Sequence, residues 1–283
     1  MNKNIIVKKN EFLKFKYSLT LIEQRILLAC ISKIDSRLSL PSDYEFIITV
    51  QEMSDLFDEK KDNIYRDLKT GCKKLQKSVI TVNDHEGVED INWVSRAKYW
   101  NDQSKVRLVF NNAVLPYLTS ISEKFTKYKL SDVQNFQSVY SLRIYELLAQ
   151  YQISGAVEIE IDELRRILNL EQKYSTFGEL KRSVIDVAIR EINEYSNLNV
   201  KYGERKRGRK VVSIQFSFET KMKIIANKKS KSPLQNTRED TSPLEREMLI
   251  DEFANSRKRF TNAVNESNVP ADIVELLKSQ GRW

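Results

Sequence analysis

The chain repeats itself. Val50, Glu52, Met53, Leu56 and Phe57 recur as Ile161, Glu163, Leu164, Ile167 and Leu168, each 111 positions later. The pair Leu68-Lys69 recurs as Leu180-Lys181 at a spacing of 112. A pattern of roughly 100 residues written twice in 283 restricts the chain to two similar domains in tandem, in line with about one domain per ~150 residues.

Each copy reads as the same series of elements. In the first, Thr20-Leu-Ile-Glu23 is a capping box, and a helix follows with Leu21, Ile22, Ile26, Leu27 and Ile31 on one face. Phe46 to Val50 reads as a strand, Met53, Leu56 and Phe57 as a short helix, and 63–78 as a longer helix with Ile64, Leu68, Cys72, Leu75 and Val79 at helical spacing. Strands follow near 79–82, 91–100 and 106–110, the last two joined by Asn101-Asp102. In the second copy, Val139 to Tyr151 is a helix, Val157 to Ile161 a strand and Asp162 to Leu170 a short helix. Thr176-Phe-Gly-Glu179 opens a long helix to about Tyr195, and strands near 198–202 and 211–218 close a hairpin. Val212, Ile214, Phe216 and Phe218 alternate with Ser213, Gln215 and Ser217, the period of a half-buried strand. Helix, strand, short helix, long helix and hairpin is the order of a winged helix-turn-helix. The expected fold is therefore α+β: a tandem duplication of that domain, with small antiparallel sheets and β-hairpin wings. Residues 5–13 precede the first copy as a strand-like arm.

Composition narrows the function. Lys and Arg exceed Asp and Glu by 8 and the pI is near 9.2, which favours polyanionic partners, nucleic acid before an anionic membrane. The two cysteines, Cys30 and Cys72, support neither a disulfide framework nor a four-ligand zinc site, and read as reduced core thiols. His85 is the only histidine, so a nickase holding its metal between two histidines is excluded. No G-x-x-x-x-G-K-[ST] loop is present, which argues against a P-loop ATPase. No cofactor, metal or enzymatic activity is expected. No apolar run approaches a membrane span, and Lys8, Lys9, Glu11, Lys14 and Lys16 break up the N-terminus as a signal peptide, so a cytoplasmic protein without a membrane partner is expected.

Two stretches, IVKKNEFLKFKYSLTLIEQRILL at 6–28 and SVYSLRIYELLAQY at 138–151, resemble the iteron-binding plasmid replication initiators of the RepA, RepB and RepE type. With the tandem modules the resemblance covers residues 5–220. It implies binding to directly repeated origin sites, local opening of the duplex, and recruitment of the host replication initiator, helicase and primase. It also implies that monomers act at the origin while a self-dimer represses its own gene. On this reading 1–125 is a first winged-helix domain for dimerisation and backbone contact, through the arm and helix at 5–34 or the sheet near 91–110. Residues 126–220 are the main DNA-reading domain, and 221–283 a Lys-rich linker with a partly helical tail.

The candidate DNA contacts follow from charge and spacing. Arg66, Lys69 (or Thr70), Lys73 and Lys77 recur at three-to-four spacing opposite Leu68, Cys72 and Leu75, a row that either follows a phosphate track or forms a solvated helix face. The first hairpin turn is acidic, with Asp84, Glu86, Glu89 and Asp90 around His85, and this wing is expected to stay off DNA. On the second long helix Lys181, Arg182 and Arg190 are candidates. Arg182, in the first turns, suits a bidentate contact with guanine. Glu179 or Asp186 either accepts from cytosine or pairs with Arg182 within the helix. The turn Lys201–Lys210 carries six cations and one acid, among them Arg205, Lys206, Arg207, Arg209 and Lys210, with Gly203 and Gly208 permitting a tight backbone. These wing cations are expected to be unpaired and to attract phosphate. Tyr140, Tyr145, Tyr151, Trp93, Tyr99 and Trp100 read as packing residues rather than base-stacking platforms. Two unequal modules read a site with a direction, which suits a direct repeat filled by a monomer. A double winged-helix transcription repressor is the rival reading, an enzyme a third.

Overall fold

The computed structural model describes residues 4–41, 43–57, 61–83, 85–100, 104–119 and 124–221. Of the linker and tail expected at 221–283 only Lys221 is described, and the Asn101-Asp102 turn lies outside the described residues.

In the first module, strand β1 (Ile5–Lys9) and a 3-10 turn at Phe12–Lys14 lead to helix α1 (Leu21–Ile31). Glu23 accepts from the Thr20 amide at 2.7 Å and from the Ser78 hydroxyl at 2.8 Å, so the capping box also ties α1 to the later chain. Strand β2 (Glu45–Thr49), helix α2 (Val50–Phe57) and helix α3 (Lys61–Leu75) follow. Helices α1 and α3 pack closely at Gly71, where a Cβ would come within 2.7 Å of Ile26 Cδ1. Helix α3 stops at Leu75, three residues earlier than its apolar spacing suggests. The Lys77 and Ser78 amides both turn back to the Lys74 carbonyl.

The strands that follow correct one expectation. β3 (Val79–Asn83) and β4 (Val88–Asn92) pair with each other, and Thr81 of β3 also bridges to Lys16, but neither strand joins the wing sheet. The wing sheet is formed by β5 (Val94–Trp100) and β6 (Lys105–Phe110) with β2, in the order β2-β6-β5. The acidic hairpin around His85 is thus an addition to the module and not its wing. Sequence alone cannot tell these apart, because three strands in a row allow either adjacent pair to be the wing. Strand β7 (Phe125–Lys129) then pairs antiparallel with β1, Ile5 opposite Lys129 and Lys9 opposite Phe125.

The second module has helix α4 (Val139–Ala149), strand β8 (Ala156–Glu160) and helix α5 (Ile161–Ile167). Helix α6 (Phe177–Leu180), a π-helical turn (Lys181–Ile185) and helix α7 (Asp186–Tyr195) run on as one helix over 177–195. Strands β9 (Leu198–Arg207) and β10 (Lys210–Thr220) complete a sheet of order β8-β10-β9, the counterpart of β2-β6-β5. Ile214, Phe216 and Phe218 are buried as their alternation requires, but Ser213 is buried too, because a bulge between Val211 and Ser213 shifts the register.

The two quoted stretches meet where the modules join. Lys8 Nζ lies 2.6 Å from Glu146 Oε1, with Lys8 only 4% exposed and Glu146 fully buried, and the Tyr128 hydroxyl donates to the same oxygen at 2.5 Å. The Arg143 guanidinium donates to the Tyr17 hydroxyl, to the Phe15 carbonyl at 2.8 Å and to the Ile167 carbonyl at 3.3 Å. Lys16 and Glu171 form a further ion pair at 2.6 Å near the surface. Buried charge this expensive to desolvate holds only when it is paired and hydrogen-bonded. The SVYSLRIYELL stretch is therefore a junction between the arm and the second module as well as a helix.

Candidate nucleic-acid interface

The cations singled out by sequence fall into two groups once the second module folds. Residue pairing continues through Arg207 opposite Lys210, so the basic stretch is mostly strand and the turn itself is Gly208-Arg209. Gly208 takes φ +61°, the left-handed conformation glycine favours. Gly203 sits inside β9 opposite Gln215 and needs no such freedom. The wing is thus longer and stiffer than a loop of ten residues.

At its tip Arg207, Arg209 and Lys210 are exposed and make no ion pair among the described residues. Arg182 and Arg190 stand exposed on the 177–195 helix, also without an ion pair there. Lower on the wing, the expectation of unpaired cations fails. Arg205 lies 2.9 Å from Glu158 on β8, across the intervening β10, and Lys206 lies 3.6 Å from Glu204. Glu158 also accepts from Ser213 at 2.5 Å and Gln215 at 3.1 Å. Those bonds, Ser213 first, hold its carboxyl down at about 2. Lys181 is 2.7 Å from Glu204, which raises the lysine and lowers the acid from their ordinary values. The sheet sets the first of these pairs, bringing Glu158 of β8 beside Arg205, 47 positions away in sequence; packing of the 177–195 helix on β9 sets the Lys181–Glu204 pair.

Both acids weighed for cytosine are already engaged. Glu179 accepts from the Thr176 amide at 3.2 Å while the Thr176 hydroxyl accepts from the Glu179 amide at 3.2 Å, closing the capping box. That backbone bond is the main reason the Glu179 carboxyl titrates low, with nearby Arg182 a lesser one. Asp186 accepts from the Tyr202 hydroxyl on β9.

In the first module Arg66, Lys73 and Lys77 are exposed, Arg66 beside Asp67 at 3.4 Å, while Lys69 is half-buried with its ammonium 6.0 Å from the centre of the Tyr99 ring. Lys77 lies in the turn after α3 rather than on it. The row is therefore shorter than the spacing suggests. The β5–β6 wing carries a group that sequence reading passed over. Lys98, Lys105 and Arg107 lie 5.1, 4.7 and 5.3 Å from the centre of the Trp100 ring. Cations two residues apart on either side of a turn were the available signal, and the wrong choice of wing concealed it. Trp93 and Tyr145 are core residues, and Tyr140 stands edge-on to Tyr174 at 6.3 Å.

Among the described residues no helix is long and apolar enough to cross a membrane, and no group of three or more His, Cys, Asp or Glu is placed to hold a metal.

Comparison with known proteins adds to this geometry. The family model for the first winged-helix domain of initiator replication proteins matches residues 5–149, and that for the second matches 160–218. A replication initiation protein of Escherichia coli is 28% identical over 234 residues, covering 80% of this chain and 73% of the relative. The PI protein of Escherichia coli is 26% identical, covering 76% and 83%. The crystal structure of the Pi initiator protein in complex with iteron DNA superposes with a TM-score of 0.67 at 26% identity, covering 78% of this chain and 98% of that one.

Proposed function

Given that the chain belongs to the initiator replication protein family, with its two winged-helix domains, we propose that it starts plasmid replication by binding directly repeated origin sequences as a monomer. The observation that carries the reading is the cationic ridge of the second module: Arg182 on the helix, with Arg207, Arg209 and Lys210 at the wing tip, all exposed and unpaired among the described residues. Arg182 reads a base pair; the tip cations hold phosphate or a minor groove. The Pi protein's complex with iteron DNA supports the choice of ligand. Arg66, Lys73 and Lys77 supply backbone contacts from the first module, which ends near residue 125, and residues 126–220 do most of the reading. The protein opens the origin by binding, without catalysing a covalent step, in the cytoplasm, and passes it to the host initiator, helicase and primase.

A dimer acting as repressor belongs to the same proposal. The arm is paired with β7 and most of α1 is buried within the chain, which favours the sheet near 91–110 as the dimer surface. Footprinting on the origin tests the reading: phased protection of direct repeats is expected. Protection of an inverted repeat alone would favour a repressor, and strand nicking by the pure protein an enzyme.

A further inference from the structure

Three hydrogen-bonded residue pairs join the 177–195 helix to β9 among the described residues, and they fall in order. Asn193 and Val200 exchange two hydrogen bonds, the Asn193 amide donating to the Val200 carbonyl at 2.9 Å and accepting from its N–H at 2.6 Å. The Tyr202 hydroxyl donates to Asp186. The Lys181 ammonium donates to Glu204 at 2.7 Å. Residues 200, 202 and 204 share one face of the strand, since side chains alternate. On the helix, however, Lys181 and Asp186 are five apart, and regular α-helical geometry would set them about 140° from each other. The π turn removes that discrepancy. Its hydrogen bond runs from the Asp186 N–H to the Lys181 carbonyl, five residues back, so the two side chains come onto the strand-facing side together.

Glu204 is the sole acid within the basic wing segment 201–210, and it holds two of the candidate DNA cations, Lys181 at 2.7 Å and Lys206 at 3.6 Å. A carboxylate there lowers the attraction for any phosphate backbone, whatever the sequence. At the same time it fixes where the wing stands relative to Arg182. We propose that Glu204 is a specificity-determining residue and Lys181 a positioning residue. Together with the π turn, the pair couples wing and helix into one reading unit and keeps Lys181 off phosphate, so that DNA of arbitrary sequence is bound less tightly. This rests on the DNA-reading role proposed above for the second module.

The two halves of the pair have opposite signatures. Binding of full-length protein is measured by fluorescence anisotropy across a salt series, on a random-sequence duplex and on a duplex selected from a random pool by the wild-type protein. In E204Q the freed lysines reach phosphate: the random duplex binds several-fold tighter and its log K against log salt slope steepens by about one to two. K181M leaves the slope on the random duplex unchanged. In both variants the preference for the selected duplex falls at least about threefold. A structural role alone would leave the slope of E204Q unaltered, and that result overturns the inference. So does a slope flattened by about one in K181M, which would put Lys181 on phosphate in the wild type; this second variant decides the matter even if E204Q folds poorly. If the wild type selects no duplex from the pool, the DNA-reading role itself fails and this inference with it.

Discussion

Arg182 and Arg207 carry the same charge but are held differently, and in the proposed DNA complex that difference separates reading from attraction. Arg182 stands on a capped helix whose phase is fixed by buried Leu180 and Val184 on either side. A guanidinium so placed can face one base pair. Arg182→Ala is expected to cost about 1–3 kcal/mol on the preferred site and to relax preference at one position, read by competition against single-base variants. An equal loss on every variant would make it a phosphate contact. Arg207 and Arg209 flank the Gly208 turn without an ion-pair partner among the described residues, and replacing both with Ala is expected to weaken all sequences similarly and flatten the salt slope by up to about 2. Arg205, next along, should contribute less than its neighbours, because its pairing with Glu158 must be broken first. That pairing has a pH signature. The Glu158 carboxyl titrates at about 2 in the folded wing, below its ordinary value of 4.5. Its contribution to wing stability is therefore full above the ordinary value and is lost as pH falls toward about 2, which a carboxyl titration followed by NMR would register.

At the level of elements, the 177–195 helix begins on Thr176, and Thr176→Ala is expected to destabilise the domain by about 1 kcal/mol in urea unfolding, since the Glu179 amide loses its partner. The β3–β4 hairpin is a different case. Apart from the Thr81–Lys16 bridge it pairs with itself among the described residues, and Glu89 and Asp90 lie off the wing sheet. Shortening its tip between Asn83 and Val88 should change DNA affinity by less than about twofold, measured by anisotropy. Apolar periodicity, caps and the 111-residue offset were enough to read the helices and the duplicated order from sequence, because each is a local signal. The choice of wing was not local: whether β4 or β6 pairs with β5 depends on β2, which lies some sixty residues away from β6 and adds the third strand to that sheet. The same holds for the cations. Sequence located Arg205, Lys206, Lys181 and the single acid among the wing cations, but not that Glu158 would meet Arg205 across the sheet or that Glu204 would hold Lys181, and it gave no sign of the π turn, which a single extra residue in a helical pattern does not reveal.

Buried charge joins the two modules within a shared apolar core. Lys8 enters on the arm, Glu146 on α4, and Tyr128 on the strand that pairs with the arm, so one carboxylate serves three segments. A monomer that reads a directional site needs its two modules in a constant relation, and this junction supplies one. If both modules contribute roughly six to ten phosphate contacts, log K should fall with log salt at a slope of about −5 to −9, and a second module acting alone would give a markedly shallower one. Breaking the junction should act on both modules together. Lys8→Met leaves Glu146 with only the more distant Arg143, 3.9 Å away, and Glu146→Gln strands Lys8; each is expected to cost about 3–5 kcal/mol, because a buried charge loses its close partner where water cannot reach. The double variant removes the stranded charge and should therefore cost clearly less than the two singles combined. Urea unfolding of the four proteins measures this coupling. Additive losses would mean that Lys8 and Glu146 act independently, and that hydrophobic packing around Ile6, Phe12 and Tyr145 is what fixes the two modules to each other.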